Sequence, residues 1–173
     1  MTRSPYNLAV TLSLAQEEFA KQSPQRMAEN SGCSYDETTK SFTVPYLMQS
    51  YSVTYPQGKV TNTEQKEADL TTAILILHYL TGASGVELTN DWVSFKELQG
   101  GAIYIQAFQK RAINPLVQAF GKEPDTFTAA TKQFAGTPAE FGDLSYIIPV
   151  FPRIPILLIL WRGDDEFPPN GTI

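Results

Sequence analysis

The chain has 173 residues, 42% hydrophobic, 12% aromatic and 18% charged, which is the composition of a globular protein and excludes a disordered one. Its formal net charge is −5, and Lys110 and Arg111 form its one adjacent basic pair. Because affinity for nucleic acids comes mainly from clustered basic residues, we expect no nucleic-acid partner. The single cysteine, Cys33, excludes a disulfide framework, a structural zinc site and an iron–sulfur cluster built from this chain's own cysteines.

Hydropathy along the chain predicts no membrane segment. The N-terminal sequence MTRSPYNLAV has no sustained apolar stretch of the kind found in a signal peptide. The most hydrophobic segment, residues 147–161, is interrupted by three prolines and Arg153, so it falls short of a membrane-spanning helix. We therefore predict no membrane association and a cytoplasmic location.

The first 32 residues predict a helical arm. A helix over residues 5–21 is indicated by Ser4 as a cap, by Pro5 at its first position and by apolar residues at helical spacing. A short second helix is capped by Ser23, starts with Pro24 and ends near Gly32. Residues 33–173 then form the α+β body.

The body opens with alternating polar and apolar residues at 41–44 and 50–55, which predict two strands joined to the next segment by a turn at 56–59. A helix over residues 64–80, capped by Asn62 or Thr63, has apolar residues on more than one face and is predicted to be buried on most sides. Residues 92–95 predict a short strand or an extended loop.

The second half of the body predicts a helix after Gly100-Gly101 that runs to about Phe120, with a kink or break near Asn114 because Pro115 removes a backbone hydrogen bond. Another helix opens at residues 123–125 and ends at Gly136. Residues 144–150 and 156–161 predict an antiparallel strand pair, and the apolar 156–161 segment predicts an interior strand. The fold class expected is α+β, an antiparallel sheet packed by several helices in a single domain.

Many fixed spacings from about Asp69 to the end resemble the prokaryotic family catalogued as domain of unknown function 3786. The residues that carry this resemblance are 78–80, 92–98, 100–101, 142–143, 151–153 and 163–169, together with Tyr104, Phe108, Arg111, Pro115, Leu116, Phe120, Gly121, Pro155 and Trp161. Members of the family occur across anaerobic bacteria and archaea, and some of them are joined to a cysteine-rich iron–sulfur segment. The resemblance implies a setting in anaerobic metabolism but transfers no catalytic residue.

This sequence departs from the family pattern in two respects. It has no cysteine-rich segment, and it ends at Ile173, where family members continue into another apolar stretch. The second departure raises the expectation that the body is short at its C-terminus. A surface near Phe167 and Ile173 is then covered by a second copy in a homodimer, covered by the first helix, or left exposed.

The candidate ligand-binding residues are chosen for recognition of a small anion. Arg111 and Arg153 carry guanidinium groups that suit a carboxylate or phosphate, and Tyr104 lies near Arg111 in sequence. A structural ion pair with Asp143 or Glu166 is the alternative role for either arginine. The remaining candidates are Trp92, Trp161 and His78, the only histidine, for which a buried structural role on its helix is favoured over the role of axial ligand to a haem or a corrinoid.

Candidate catalytic residues are limited to carboxylates at one end of the last strand pair. Asp143 precedes the pair, and Asp164 and Glu166 follow it, so antiparallel pairing brings them to the same end of the sheet. Paired carboxylates serve acid–base chemistry or hold Mg²⁺, but acidic residues after a strand are more often solvated turn formers. Cys33 is interpreted as an inert thiol, and no metal site is predicted from one histidine and one cysteine.

Three hypotheses for function follow from these residues. The first is a non-enzymatic accessory module, of anaerobic metabolism by the family resemblance, that binds a small anionic ligand or a redox-cofactor protein. The second is a small hydrolase, acid–base or Mg²⁺-assisted, that uses Asp143, Asp164 and Glu166. The third is a structural subunit whose aromatic residues form an interface.

Overall fold

Residues 7–173 are described by a computed structural model, apart from the side chain of Pro124. By its internal contacts the chain forms two compact units. The first contains residues 7–87 and Phe151–Arg153, and the second contains Leu88–Val150 and Ile154–Ile173. The predicted cap Ser4 and the first turn at Pro5 lie outside the described residues, and the boundary predicted after residue 32 falls inside the first unit.

Three helices of the first unit begin at residues with strong capping signals. Helix α1 (Leu8–Lys21) is capped by Asn7, whose side chain accepts from the Val10 backbone N–H. Helix α2 (Pro24–Ser31) begins after Ser23 and ends at Gly32, which takes a left-handed φ of 71° as predicted. Both helices pack against α3 (Leu70–Gly82), the apolar centre of this unit.

The predicted start of α3 was wrong by six residues. Asn62 does bind backbone N–H groups, but those of Glu64 and Lys66 in a turn that precedes the helix. Asp69 is the actual cap, and its carboxylate accepts from the N–H groups of Thr71 and Thr72. After this turn the chain runs antiparallel to residues 60–62, through a bridge between Thr61 and Glu67 and a hydrogen bond from the Ala68 N–H to the Val60 carbonyl, so the helix begins only beyond residue 68.

The sheet of the first unit is an antiparallel meander in the order β1 (Ser34–Asp36), β2 (Ser41–Tyr46), β3 (Gln49–Thr54) and β4 (Lys59–Asn62). Its register pairs Phe42 with Val53 and Val53 with Val60, so these buried side chains share one face. The predicted turn at 56–59 is confirmed, with Gly58 at a positive φ of 65°.

The helices of the second unit are α4 (Gly101–Phe108), α5 (Asn114–Phe120) and α6 (Pro124–Lys132). A π-helical turn, Gln109–Ile113, joins α4 to α5 directly before Pro115. The helical conformation continues through Asn114, so the predicted kink or break takes the form of this π-helical turn, because proline cannot donate a backbone N–H and its ring clashes with the carbonyl one turn back. Residues 92–94 form no strand, and they lead through an extended Ser94 into a 3₁₀ turn, Phe95–Glu97.

The sheet of the second unit has the order β5 (Thr137–Pro138), β6 (Leu144–Phe151), β7 (Ile154–Trp161) and β8 (Asn170–Thr172). Strand β7 lies between β6 and β8, so the predicted interior strand is confirmed. The α+β class with antiparallel pairing is confirmed as well, with the strands divided between two four-stranded sheets. Three short strands at sheet edges, β1, β5 and β8, were not predicted.

Candidate functional site

A cleft in the second unit has a volume of about 460 Å³, within the range of small-molecule sites. Three segments line it: the end of α5, the end of β7, and the loop that leads to β8. The lining residues are Gly121, Lys122, Arg162, Gly163, Asp164, Asp165, Glu166, Phe167, Pro168 and Pro169. Two cations, three carboxylates and an apolar wall thus border one space.

The loop that lines most of the cleft is ordered by its own hydrogen bonds. The Asp164 carboxylate accepts from the backbone N–H groups of Glu166, at 2.9 Å, and of Phe167, at 2.7 Å. The Asp164 N–H donates to the Phe167 carbonyl at 2.9 Å. These N–H groups, that of Phe167 first, lower the pKa of Asp164 because they stabilise its charged form.

Two glycines allow this loop to pack closely against its neighbours. A Cβ atom on Gly163 would lie 2.7 Å from Pro169 Cδ, and one on Gly121 would lie 2.8 Å from Pro169 Cβ. Both distances are shorter than van der Waals contact, so a larger residue at either position displaces the loop. The end of α5 and the end of β7 are therefore held against the same proline.

The candidate carboxylates are only partly brought together. Asp143 lies at the end of β7 as predicted, where its carboxylate accepts from the Arg162 N–H at 2.7 Å and its own N–H donates to the Leu160 carbonyl. Asp164 and Glu166 line the cleft, whereas Asp143 is outside its lining. Asp143 and Asp164 both hold backbone N–H groups, which is the role of turn-forming residues.

Arg153 occupies a structural position in the first unit. Its backbone N–H donates to the Tyr79 hydroxyl at 3.0 Å, and its guanidinium donates to the carbonyl oxygens of Val86 and Glu29, each at 3.4 Å. The Tyr79 hydroxyl in turn donates to the Ser31 carbonyl, and the Tyr79 ring stacks on Phe151 at 4.2 Å between centroids. Arg153 Nε is buried with no partner among the described residues.

Each of the other candidate ligand-binding residues is exposed in its own unit. His78 is exposed on α3, so the prediction of a buried histidine was wrong. Arg111 is exposed on the π-helical turn of the second unit, and Tyr104 is exposed on α4. Trp161 is partly exposed at the end of β7, where Gly142, at a positive φ of 56°, lies under its ring.

A second feature of the second unit is a run of exposed apolar side chains, which we call the apolar segment, residues 88–104. It contains six large exposed hydrophobic residues: Leu88, Trp92, Val93, Leu98, Ile103 and Tyr104. Ile103 is 84% exposed and Tyr104 is 65% exposed. Trp92 and Tyr104, predicted as ligand-binding residues, therefore belong to an outward-facing surface.

The apolar segment is held in place by local contacts. The rings of Phe95 and Phe108 stack with centroids 4.0 Å apart and an interplanar angle of 3°. The Glu97 carboxylate accepts from the backbone N–H and hydroxyl of Ser94, which closes a capping box at the 3₁₀ turn. Gly101 approaches Phe95 so closely that a Cβ atom there would overlap its carbonyl oxygen.

Sequence reasoning missed Lys122 and Arg162 as lining residues of the cleft. They are 40 positions apart, and only the packing of α5 near β8 brings their segments together. Gly121 and Gly163 were a partial signal, since a glycine that follows a helix or a strand permits close backbone approach, but only the structure shows that both lie against Pro169. The exposed side chains of α4 were missed because its sequence, apolar on all sides, is typical of a buried helix.

In residues 7–173, with the exception noted for Pro124, no group of three or more His, Cys, Asp and Glu side chains is arranged to hold a metal ion. Over the same residues, no helix is long and apolar enough to cross a membrane. The Cys33 thiol is buried, and this burial raises its pKa, which disfavours the reactive thiolate.

The geometry therefore defines an α+β protein with a cleft bordered by charges and an exposed apolar segment. The model of the family described as Domain of unknown function (DUF3786) matches residues 23–173, and the chain belongs to this family. The match confirms the resemblance and extends it to the start of α2. No curated protein and no solved structure matches the chain.

Proposed function

We propose that this protein is a non-enzymatic accessory module that binds a partner protein through its apolar segment, residues 88–104. The observation that supports it is the exposure of α4, whose apolar sequence GAIYIQAF has no buried residue larger than glycine. A helix that is apolar on all sides is normally covered. The partner would supply that cover.

The concentration of these side chains distinguishes them from ordinary surface residues. Single exposed hydrophobic residues are common and need no explanation. Here six large ones fall within 17 positions, and aromatic residues, which dominate binding energy at interfaces, are among them. The stacked Phe95 and Phe108 rings and the capping box at Ser94 order residues 94–104 of the segment, so this part loses little conformational entropy when a partner binds.

Charge favours a partner of different sequence over a second copy. The protein carries a net charge of −5, so two copies repel one another at low ionic strength. Within the segment, Asp91 and Glu97 outnumber Lys96. A partner with an apolar centre and a basic rim complements this surface. A homodimer is the alternative outcome of the test.

We also propose a metabolic context and a cellular compartment for the protein. Anaerobic metabolism, with a redox-cofactor protein as the partner, is proposed from the family resemblance. The cytoplasm is proposed as the compartment, since the single cysteine is a buried free thiol.

The structure gives weaker support to the hydrolase hypothesis. A general acid needs a raised pKa, whereas the pKa of Asp164 is lowered by the N–H groups of Phe167 and Glu166. Asp143 holds the Arg162 N–H and stands outside the cleft lining. A non-enzymatic role requires neither carboxylate to change its protonation state.

The test places a photo-crosslinking amino acid at Ile103 in the native host, with Met48 as the matched control. Met48 is an exposed apolar residue of the first unit, 59% accessible, outside the apolar segment. We expect a crosslink to one other protein from position 103 and none from position 48. The captured protein is then purified and its affinity for the isolated chain is measured.

In that binding measurement, the double variant Ile103→Ser and Tyr104→Ser should weaken affinity by at least about tenfold, as expected for interface anchors. Met48→Ser should leave it unchanged, and both variants should retain the parent melting temperature because the altered residues are exposed. A crosslink from position 103 only to a second copy of the chain would refute the proposal. Equal affinity of the double variant and the parent would refute it as well.

A further inference from the structure

We propose that the cleft of the second unit binds a small zwitterion of dipeptide size. The inference goes beyond the proposed partner binding, because the lining residues 121–122 and 162–169 are separate from residues 88–104. The shape, the charges and the apolar wall of the cleft support this ligand.

The cleft is preformed. Its volume of about 460 Å³ exceeds that of a single ion and suits a small organic molecule. The three hydrogen bonds between Asp164 and residues 166–167 hold the loop, and the contacts of Gly121 and Gly163 with Pro169 hold its ends. A ligand therefore meets a site that needs little ordering before it binds.

The charged residues that line the cleft favour a ligand that carries both a positive and a negative charge. Lys122 and Arg162 provide two cations, and neither forms an ion pair within the part of the chain that the structure describes. Asp165 and Glu166 provide carboxylates that are likewise unpaired there. A guanidinium or ammonium group suits a ligand carboxylate, while the two carboxylates suit a ligand ammonium group.

The wall beside these charges is apolar. Phe167 is 66% exposed, and Pro168 and Pro169 continue the same wall. An exposed phenylalanine next to charged groups gives a ligand's aliphatic side chain a surface to cover. A dipeptide with one terminal ammonium, one terminal carboxylate and an aliphatic side chain provides all three groups.

Ligands of one charge fit less well. A free anion that binds Lys122 and Arg162 also faces three carboxylates, which repel it. A divalent cation lacks a group of three ligands among the described residues. A cation such as an amine leaves both basic side chains without a partner.

The test compares three molecules with the same skeleton: glycyl-leucine, its N-acetyl derivative and its C-terminal amide. The first carries both charges, the second carries only the carboxylate, and the third carries only the ammonium group. Each is titrated into the full chain, and binding is followed by the backbone amide shifts of Gly121, Gly163 and Phe167. We expect saturable shifts with glycyl-leucine and at least about tenfold weaker binding of each blocked form.

Matched variants locate the site. Lys122 follows α5 and Lys132 ends α6, and both are exposed lysines of the second unit, but only Lys122 lines the cleft. Lys122→Ala should weaken glycyl-leucine binding by about tenfold and Lys132→Ala should leave it unchanged. Glu166→Gln and Glu140→Gln form the corresponding acidic pair, since Glu140 is exposed outside the cleft.

Three results would overturn the inference. The first is the absence of amide shifts with glycyl-leucine up to about 10 mM, a concentration that detects even weak sites. The second is equal affinity for glycyl-leucine and for one of its blocked forms. The third is an equal loss of affinity for glycyl-leucine in the Lys122→Ala and Lys132→Ala variants. None of these results bears on the crosslinking at Ile103, so the two proposals succeed or fail separately.

Discussion

At the scale of single residues, the role of a side chain depends strongly on its hydrogen-bond partners. Tyr79 is the clearest case, because its hydroxyl donates to the Ser31 carbonyl and accepts from the Arg153 N–H. Burial, the largest influence, raises the pKa of Tyr79, so the hydroxyl stays neutral and keeps both bonds at physiological pH. The sequence predicts that the helix of Tyr79 is buried, but it does not indicate which groups the hydroxyl bonds.

Tyr79→Phe should lower the free energy of unfolding by about 1–3 kcal/mol, because buried backbone groups lose their partner. Denaturant unfolding monitored by circular dichroism measures the change. Tyr104→Phe is the matched control: its hydroxyl lies on an exposed side chain, and we expect no measurable effect. Equal stability of the Tyr79 variant and the parent would mean that water replaces both hydrogen bonds.

At Asp164 the lowered pKa predicts a pH dependence of the loop. Because the pKa of Asp164 is lower in the folded state, its carboxylate stabilises the folded loop fully at pH values above the unfolded-state pKa. This stabilisation is lost as the pH falls through the lower, folded-state pKa. The amide shifts of Glu166 and Phe167 should therefore titrate at a pH below the usual range of an aspartate. Asp164→Asn should abolish this titration and Asp165→Asn should retain it. A midpoint at the ordinary value would contradict the hydrogen bonds described.

At the scale of elements, α3 and α4 have similar apolar sequences but opposite environments. Helix α3 buries Ala73, Ile74, Ile76, Leu77, Tyr79 and Leu80 and leaves Leu75 and His78 exposed. Helix α4 buries only Gly101. The difference comes from the neighbours: α1, α2 and β4 contact α3, whereas α4 meets chiefly the turns that precede and follow it.

Leu77→Ala should destabilise the protein by about 2–5 kcal/mol, since Leu77 is fully buried and its loss leaves a cavity. Leu75→Ala on the same helix is the control, because Leu75 is 43% exposed and should cost less than about 1 kcal/mol. Urea denaturation of both variants gives the comparison. If the two costs were equal, the burial assigned to α3 would be incorrect.

At the scale of the whole molecule, the two units differ in the size of their buried cores. The described part of the second unit has five buried apolar side chains: Phe127, Tyr146, Ile148, Leu157 and Leu160. In the first unit, α3 alone contributes more. Because local stability follows buried apolar contacts, the units should differ in protection from hydrogen exchange.

Native-state hydrogen exchange should therefore show the slowest amides in α3, β2 and β3, and much faster exchange in α4 and α5, which have no large buried side chains. Amides of β7 around Leu157 and Leu160 are the internal reference for the second unit, since they belong to an interior strand with buried side chains. Protection of α4 equal to that of α3 would indicate that its apolar side chains are covered.

The sequence by itself determined the family, the α+β class and most helix ends. Ser23, Gly32 and Pro115 act on the backbone within one turn of themselves, so their effects can be predicted without knowing the rest of the fold. Strands β2, β3 and β7 were predictable because alternation or a continuous apolar run reflects burial directly. The carboxylates at the end of β7 were located by the same strand assignment.

Only the tertiary structure decided what depends on distant segments. The short edge strands β1, β5 and β8 have two or three residues and exist because a longer neighbour pairs with them. Which elements pack together decides the exposure of His78 and Tyr104 and the hydrogen bonds that anchor Arg153. It also decides that Lys122 and Arg162 line the same cleft. The physical reason is range: capping and turn signals act over a few residues, whereas burial is set by packing between residues far apart in the chain.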